Sequence, residues 1–326
     1  MAMRTGRRLD LLGAGLVAAA ILWTLTGARA PDDRPWPVVA GYVLAVVAFE
    51  AGRRLARARG PEATVAMVGA LWLLQVVVPR LVKYPNAGAA MDVQAGLAGL
   101  LVVLAARDPR ARPWGAGLGL LALVALASSG SVFAFVSLGV ALVVIGLSHV
   151  TGRLVPAAML VLAGVGGLVL ATAVAPVPDR ALELETLAVR VDLWDEAALL
   201  LEAEPWSGVG PGRFEEVQRV SDDNDLRFAH SAPLQQGAEQ GYPGLVLLLA
   251  VGGWAVARLA HGATGAARPA AAVGLGALGA LAAHASVDFV LHFPLVLAVG
   301  ALLVGAGAAR DQRPGVDPSA EVTAAA

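Results

Sequence analysis

Apolar runs of about 17 to 23 residues recur along this chain, separated mostly by short polar turns, and that recurrence constrains the fold more than any other feature. A helix rising about 1.5 Å per residue needs about 20 residues to cross about 30 Å of hydrocarbon. Lipid offers the backbone amides no partner, so only helices or closed barrels can span it. The runs are continuous rather than alternating, which selects helices. The expected fold class is therefore all-α: a polytopic transmembrane helix bundle with one extracytoplasmic loop domain containing amphipathic helices. Ten spans are expected, at 9–28, 36–52, 62–82, 91–106, 113–128, 131–148, 154–176, 242–259, 269–287 and 291–309. The overall balance agrees, with 57% hydrophobic residues, 15% charged residues and a mean hydropathy of +0.70.

The cations between the spans set an orientation. With the N-terminus in the cytoplasm, the inner segments hold Arg4, Arg7, Arg8, Arg53, Arg54, Arg57, Arg59, Arg107, Arg110, Arg112, Arg153, Arg258, Arg268, Arg310 and Arg313. The short outer loops hold only Arg29, Arg34, Arg80 and Lys83. That asymmetry puts both termini on the cytoplasmic side. Four regions follow: an N-terminal bundle at 1–176, an extracytoplasmic segment at 177–241, three C-terminal spans at 242–309, and a cytoplasmic tail at 310–326, expected to be disordered. The first span also imitates a cleavable secretory signal, with basic residues, an apolar stretch and Ala28-Arg29-Ala30 before Pro31. Its apolar part is long for one, and cleavage would leave the other spans as they are. A net charge of -1, with cations scattered between spans, gives no footprint for nucleic acid. The absence of cysteine excludes disulfides and thiolate chemistry. One lysine against 23 arginines, in a chain rich in Ala, Gly and Val, points to a GC-rich bacterial genome.

Residues 177–241 form the one sizeable polar region, with fourteen acidic residues and five arginines for a formal charge of -9. Over 181–204, Leu184, Leu187, Val191, Trp194, Ala198 and Leu201 recur at helical spacing, which predicts an amphipathic helix lying on the membrane surface or on the bundle, with Arg190 at the edge of its apolar face. The loop WSGVGPGRF follows; its glycines 208, 210 and 212 fit either a redirecting turn or a nest of N–H groups for an anion. It lacks both the preceding strand and the Gly-Lys-Ser/Thr of a nucleotide loop.

His230 is the leading catalytic candidate, because an imidazole can take a proton from a hydroxyl near neutral pH. Taken alone, a histidine at a membrane interface is more often a hydrogen-bonded structural residue. Glu239 could orient it only if His230 lies off the helix, since nine residues of ideal helix put the two on opposite faces. Ser231 as a cap and Pro233 in the first turn would allow that. The run Ser221-Asp222-Asp223-Asn224-Asp225 fits a solvated acidic loop better than a cation site. His284, Asp288 and His292, each four residues apart, would share one face of a continuous helix. The bundle interior offers little other charge; Glu50, Gln75 and Asp92 make no continuous path, which argues against a proton-driven pump.

The order AVRVDLWDEAALLLEAEPWSGVGPGRF, then AHSAPLQQGAEQGYPGLVLLL, then AHASVDFVLHFPLVLAVGALLVG, resembles the C-terminal half of the O-antigen ligase and O-antigen polymerase family, bacterial membrane proteins that move glycans from an undecaprenyl-diphosphate carrier. The motifs that carry the resemblance are Arg190 with Trp194, Pro205 with Gly208 and Gly210, His230 with Leu234 and Gln235, Glu239 with Gly241 and Gly244, and Asp288; together they cover roughly 185–305. In two respects the chain departs from the family: the stretch Ala127-Ser128-Ser129-Gly130-Ser131 has no arginine after serine where many members carry one, and members are commonly longer upstream.

The resemblance implies transfer of a glycan from an undecaprenyl-diphosphate-linked donor to an acceptor glycan, lipid or protein, without a metal or other cofactor. It assigns catalysis to His230, Arg190 and Glu239, with Arg190 as the phosphate fork. Arg213, Arg227, Arg80, Lys83, Gln235 and Asp288 are the expected substrate-binding residues. The charge of -9 opposes a diphosphate unless the acids lie away from the cleft. A non-catalytic transporter, or a scaffold of envelope glycan assembly, is the alternative.

Overall fold

The computed structural model describes residues 2–78, 84–151, 154, 185–220, 227–263 and 267–309. Among them eleven α-helices follow in order: α1 (Ala2–Gly27), α2 (Pro35–Arg59), α3 (Pro61–Val77), α4 (Pro85–Ala105), α5 (Arg112–Ser129), α6 (Val132–Thr151), α7 (Glu185–Ala203), α8 (Phe214–Val217), α9 (Ala232–Gly262), α10 (Arg268–Val287) and α11 (Pro294–Gly307). Seven helical stretches are long and apolar enough to cross a membrane, and α3 and α11 are shorter apolar helices. The chain is an all-α polytopic bundle. Nine of the ten expected spans meet a helix; the one at 154–176 lies outside the described residues apart from Leu154, as do Arg80, Lys83, the acidic run at 222–225 and the tail.

Proline punctuates the bundle, opening α2, α3, α4 and α11 at their first position, where the missing N–H has no intrahelical partner to lose. It also explains a shortened helix. The third span, expected to reach 82, ends at Val77 because Val78 precedes a proline and leaves the helical region, at φ -119 and ψ 72.

α4 and α10 form the centre. In each, 72% of the spanning window is buried inside the protein, against 17–28% in the other five long spans, whose outward faces are left for lipid. α4 packs on α5, α10 on α6 and α11, and α11 on α2. Small residues let the last pair approach closely: a Cβ added at Gly52 would strike the Leu302 carbonyl, and one at Gly305 the Phe49 carbonyl.

α7 packs against α9, so it lies on the protein. Its buried stripe is turned from the expected one. Arg190, Leu193, Trp194 and Ala197 face inward, while Val191 and Ala198 are only half-buried. The expected face assumed that a charge sits at the edge; here Arg190 belongs to the buried stripe because it has a buried partner. Leu193, Trp194 and Ala197 join Phe214, Ala229, Leu234 and Ala238 in a small core of their own.

α9 is two helices joined at Gly241, whose φ of 66 and ψ of -173 break the ladder. Pro243 has no N–H to return to the Glu239 carbonyl, and the Tyr242 N–H turns away to Pro205 O at 2.8 Å. Three carbonyls are thereby released. Ala238 accepts from Val209 N–H (2.9 Å), Glu239 from Gly210 N–H (3.0 Å), and Gln240 from Trp23 Nε1 (3.0 Å). One break in one helix thus docks the glycine loop and α1 onto the polar half of α9.

Candidate active site

Asp288 is the centre of the polar cluster. It follows the last turn of α10 in extended conformation, at φ -154 and ψ 164, and is wholly buried. Its Oδ2 accepts from Asn86 Nδ2 (2.7 Å), Tyr84 OH (3.0 Å) and Arg190 Nη2 (3.2 Å). Its Oδ1 accepts from the Phe289 N–H (2.7 Å) and lies 3.4 Å from His230 Nδ1. Burial pushes the pKa of this carboxyl up, but the hydrogen bond from His230 and the charge of Arg190 outweigh it and hold the group below the usual carboxylate range. Asp288 is an anion set among cationic and neutral donors.

Arg190 is 6% exposed. Its guanidinium donates to the Val287 carbonyl (2.9 Å), to Tyr84 OH (3.2 Å) and to Asp288, and stacks 4.6 Å above the Phe133 ring at the start of α6. The expected phosphate fork is therefore engaged internally. Ala127 to Ser131, the stretch without an arginine, form the end of α5 and the turn into α6, two residues before Phe133.

His230 lies off the helix, as its expected role requires. It precedes Ser231 at the N-cap of α9, is 1% exposed, and is the one described residue other than glycine with positive φ, at 48. The Phe289 ring meets its imidazole edge-on at 4.7 Å. With Nδ1 turned to Asp288, the assigned tautomer carries its proton there and leaves the lone pair on Nε2.

The carboxylate at His230 is thus Asp288, where the sequence had offered Glu239. Glu239 accepts from the Gly212 N–H (2.8 Å), the Phe214 N–H (3.4 Å) and Gln235 Nε2 (2.9 Å). The glycine loop does form an anion nest, and the anion in it is Glu239 itself. From Gly208 to Arg213 the other N–H groups are also taken: Gly208 donates to Glu204 O, Val209 to Ala238 O, Gly210 to Glu239 O and Arg213 to Gly210 O. Gln235, expected to bind substrate, bridges Glu239 and His292, whose Nε2 is 3.4 Å away.

The other expected cations sit among acids. Arg213 Nε is 3.9 Å from both Asp33 and Glu216, and Arg227 Nη1 is 3.2 Å from Glu215. Arg80 and Lys83 lie outside the described residues, although Lys83 is bonded to Tyr84. Among the described residues no group of His, Asp and Glu gathers to hold a metal. His284, Asp288 and His292 do not share a helical face, because α10 ends at Val287: His292 falls in a 3-10 turn, and His284 is buried within α10 with neither ring nitrogen hydrogen-bonded.

Sequence reasoning missed Tyr84 and Asn86. Tyr-Pro-Asn between two apolar runs reads as punctuation. The available signal was position: a polar aromatic next to Lys83, at the expected outer end of the third span.

No curated protein matches the chain. The family model described as O-Antigen ligase matches residues 116–249, a stretch that holds Arg190, His230 and Glu239. That family implies membrane glycan processing of the ligase or polymerase type. The resemblance read from the motifs therefore stands as far as this match reaches: residues 116–249 of this multi-pass membrane protein are similar to the O-antigen ligase family.

Proposed function

We propose that the protein transfers a glycan from an undecaprenyl-diphosphate-linked donor to an acceptor hydroxyl at the outer face of the cytoplasmic membrane. The observation that carries this reading is the contact of His230 with a buried carboxylate that Arg190 holds from behind. His230 Nε2 takes the proton of the acceptor hydroxyl as its oxygen bonds to the anomeric carbon of the donor sugar. The bond from that carbon to the diphosphate breaks, and undecaprenyl diphosphate departs with the electron pair. Asp288 stabilises the imidazolium that forms, and Arg190 keeps Asp288 ionised. Arg190 thus serves the base, and the diphosphate is assigned to the other expected cations, Arg80, Lys83, Arg213 and Arg227.

The polarity of the bundle supports the outer-face assignment. Arg53 and Arg258 meet Asp10 at the end of the bundle opposite the cluster, and Arg107 donates to Ala56 and Arg57 carbonyls at that same end. The division into an N-terminal bundle, an extracytoplasmic segment at 177–241 and three C-terminal spans follows from the same orientation. Substrate reaches His230 past Phe228, Phe293 and His292, the partly exposed side of the cluster. His230→Ala is expected to abolish transfer from an undecaprenyl-diphosphate-linked oligosaccharide while the protein still inserts into membranes; wild-type transfer by this variant removes the base from the mechanism.

A further inference from the structure

A carboxylate can turn about its Cβ–Cγ bond, so Asp288 faces His230 with a fixed oxygen only if something holds the other one. Arg190 alone does not define that orientation, because its guanidinium also serves the Val287 carbonyl. Two residues from the segment entering α4 complete the hold. Tyr84 OH donates to Asp288 Oδ2 (3.0 Å) and accepts from Asn86 Nδ2 (3.1 Å) and Arg190 Nη2 (3.2 Å), which uses the one proton and both lone pairs of a hydroxyl. Asn86 Nδ2 has two protons, one for that hydroxyl and one for Asp288 Oδ2 (2.7 Å). The Tyr84 ring is itself fixed, stacked on Phe293 at 5.7 Å and 6° and against Phe289 at 4.6 Å.

We infer that Tyr84 and Asn86 are positioning residues of the active centre, pinning Asp288 Oδ2 so that Oδ1 stays on His230 Nδ1. The inference rests on the base role proposed for His230. It assigns work to a part of the chain that the family match, at 116–249, does not reach. The N-terminal bundle thereby does more than anchor: of the three side-chain donors on Oδ2 it supplies two, both of them neutral.

The charged and titratable groups facing Asp288 are Arg190 from α7, His230 before α9, Tyr84 before α4 and His284 from its own helix. Removing the Tyr84 hydroxyl frees Oδ2, so the carboxylate can turn and its Oδ1 no longer stays on His230 Nδ1. The test uses the full chain in lipid vesicles with an undecaprenyl-diphosphate-linked oligosaccharide, comparing wild type, Tyr84→Phe, Asn86→Ala and His230→Ala. Tyr84→Phe retains the stacked ring, and Asn86→Ala perturbs the same oxygen from a different residue. For both, kcat should fall roughly tenfold with little change in KM for the donor. An unchanged kcat in both variants, beside an inactive His230→Ala, overturns the positioning role. A rise in KM alone also overturns it, since that marks a substrate contact. Activity in His230→Ala defeats the base assignment itself, and is read separately.

Discussion

Glu239 and Asp288 are both buried carboxylates, and they are held in opposite ways. Glu239 sits within a helix and is capped by two backbone N–H groups of the glycine loop and one amide from its own helix. None of these partners changes charge. Asp288 sits past the end of a helix, and side chains from three distant parts of the chain hold it; one is a permanent cation and one an imidazole able to take up a proton. The difference separates two duties of buried negative charge. Glu239 fastens a loop, while Asp288 is poised to respond when its neighbour gains a proton.

The largest expected effect comes from breaking the second arrangement. Asp288→Ala leaves the buried Arg190 guanidinium uncompensated and should cost about 3–5 kcal/mol of stability in addition to activity, read by denaturation in detergent micelles. Asp288→Asn keeps the shape and should lose transfer while retaining more of the fold. If Asp288→Asn transfers glycan at the wild-type rate, the two carboxylates are alike and the contrast fails.

Glu239→Gln should have the reverse profile. The amide oxygen still accepts from one or two donors, but a nest built for an anion is weakened, at a cost of about 1–3 kcal/mol. Activity per folded molecule should stay within a few-fold of wild type. Complete loss of transfer in a protein that melts normally would return Glu239 to the chemistry.

Acid offers a smaller and sharper probe. Because the folded pKa of Asp288 lies below its ordinary value of 3.8, its ion pair contributes stability that is present above that value and is lost as pH falls through the lower folded pKa. The difference in stability between wild type and Asp288→Asn should therefore be constant down to mildly acidic pH and narrow only in the strongly acid range. A difference that closes near neutral pH would mean that Asp288 is already protonated there.

Much of the bundle was legible in the sequence because lipid imposes a length and a polarity on each span that no tertiary contact can override. Where the reading slipped, a buried partner was the reason. The inward stripe of α7 includes Arg190, and hydrophobic periodicity has no means of placing a guanidinium whose counter-charge lies 98 residues further on. Arg190, His230 and Asp288 could be picked out by resemblance, yet their pairing could not: the helical arithmetic that put Glu239 opposite His230 said nothing of Asp288. Tyr84 and Asn86 were hidden for the same cause, each reaching Asp288 across more than 200 residues of sequence. For the glycine loop the sequence favoured a redirecting turn over a nest for an anion; that the loop would take a side chain of the same protein as its anion depends on the break at Gly241, visible only once the helix is seen to end there.

The left-handed backbone at His230 sets ruggedness against turnover at a single position. An L-residue with a bulky side chain loses about 1–2 kcal/mol in that conformation, which glycine would recover. Smoothing the main chain here would make a sturdier molecule and, if the imidazole is the base, an inert one. Efforts to toughen this protein should therefore leave the strained turn alone and look to the lipid-facing helices instead.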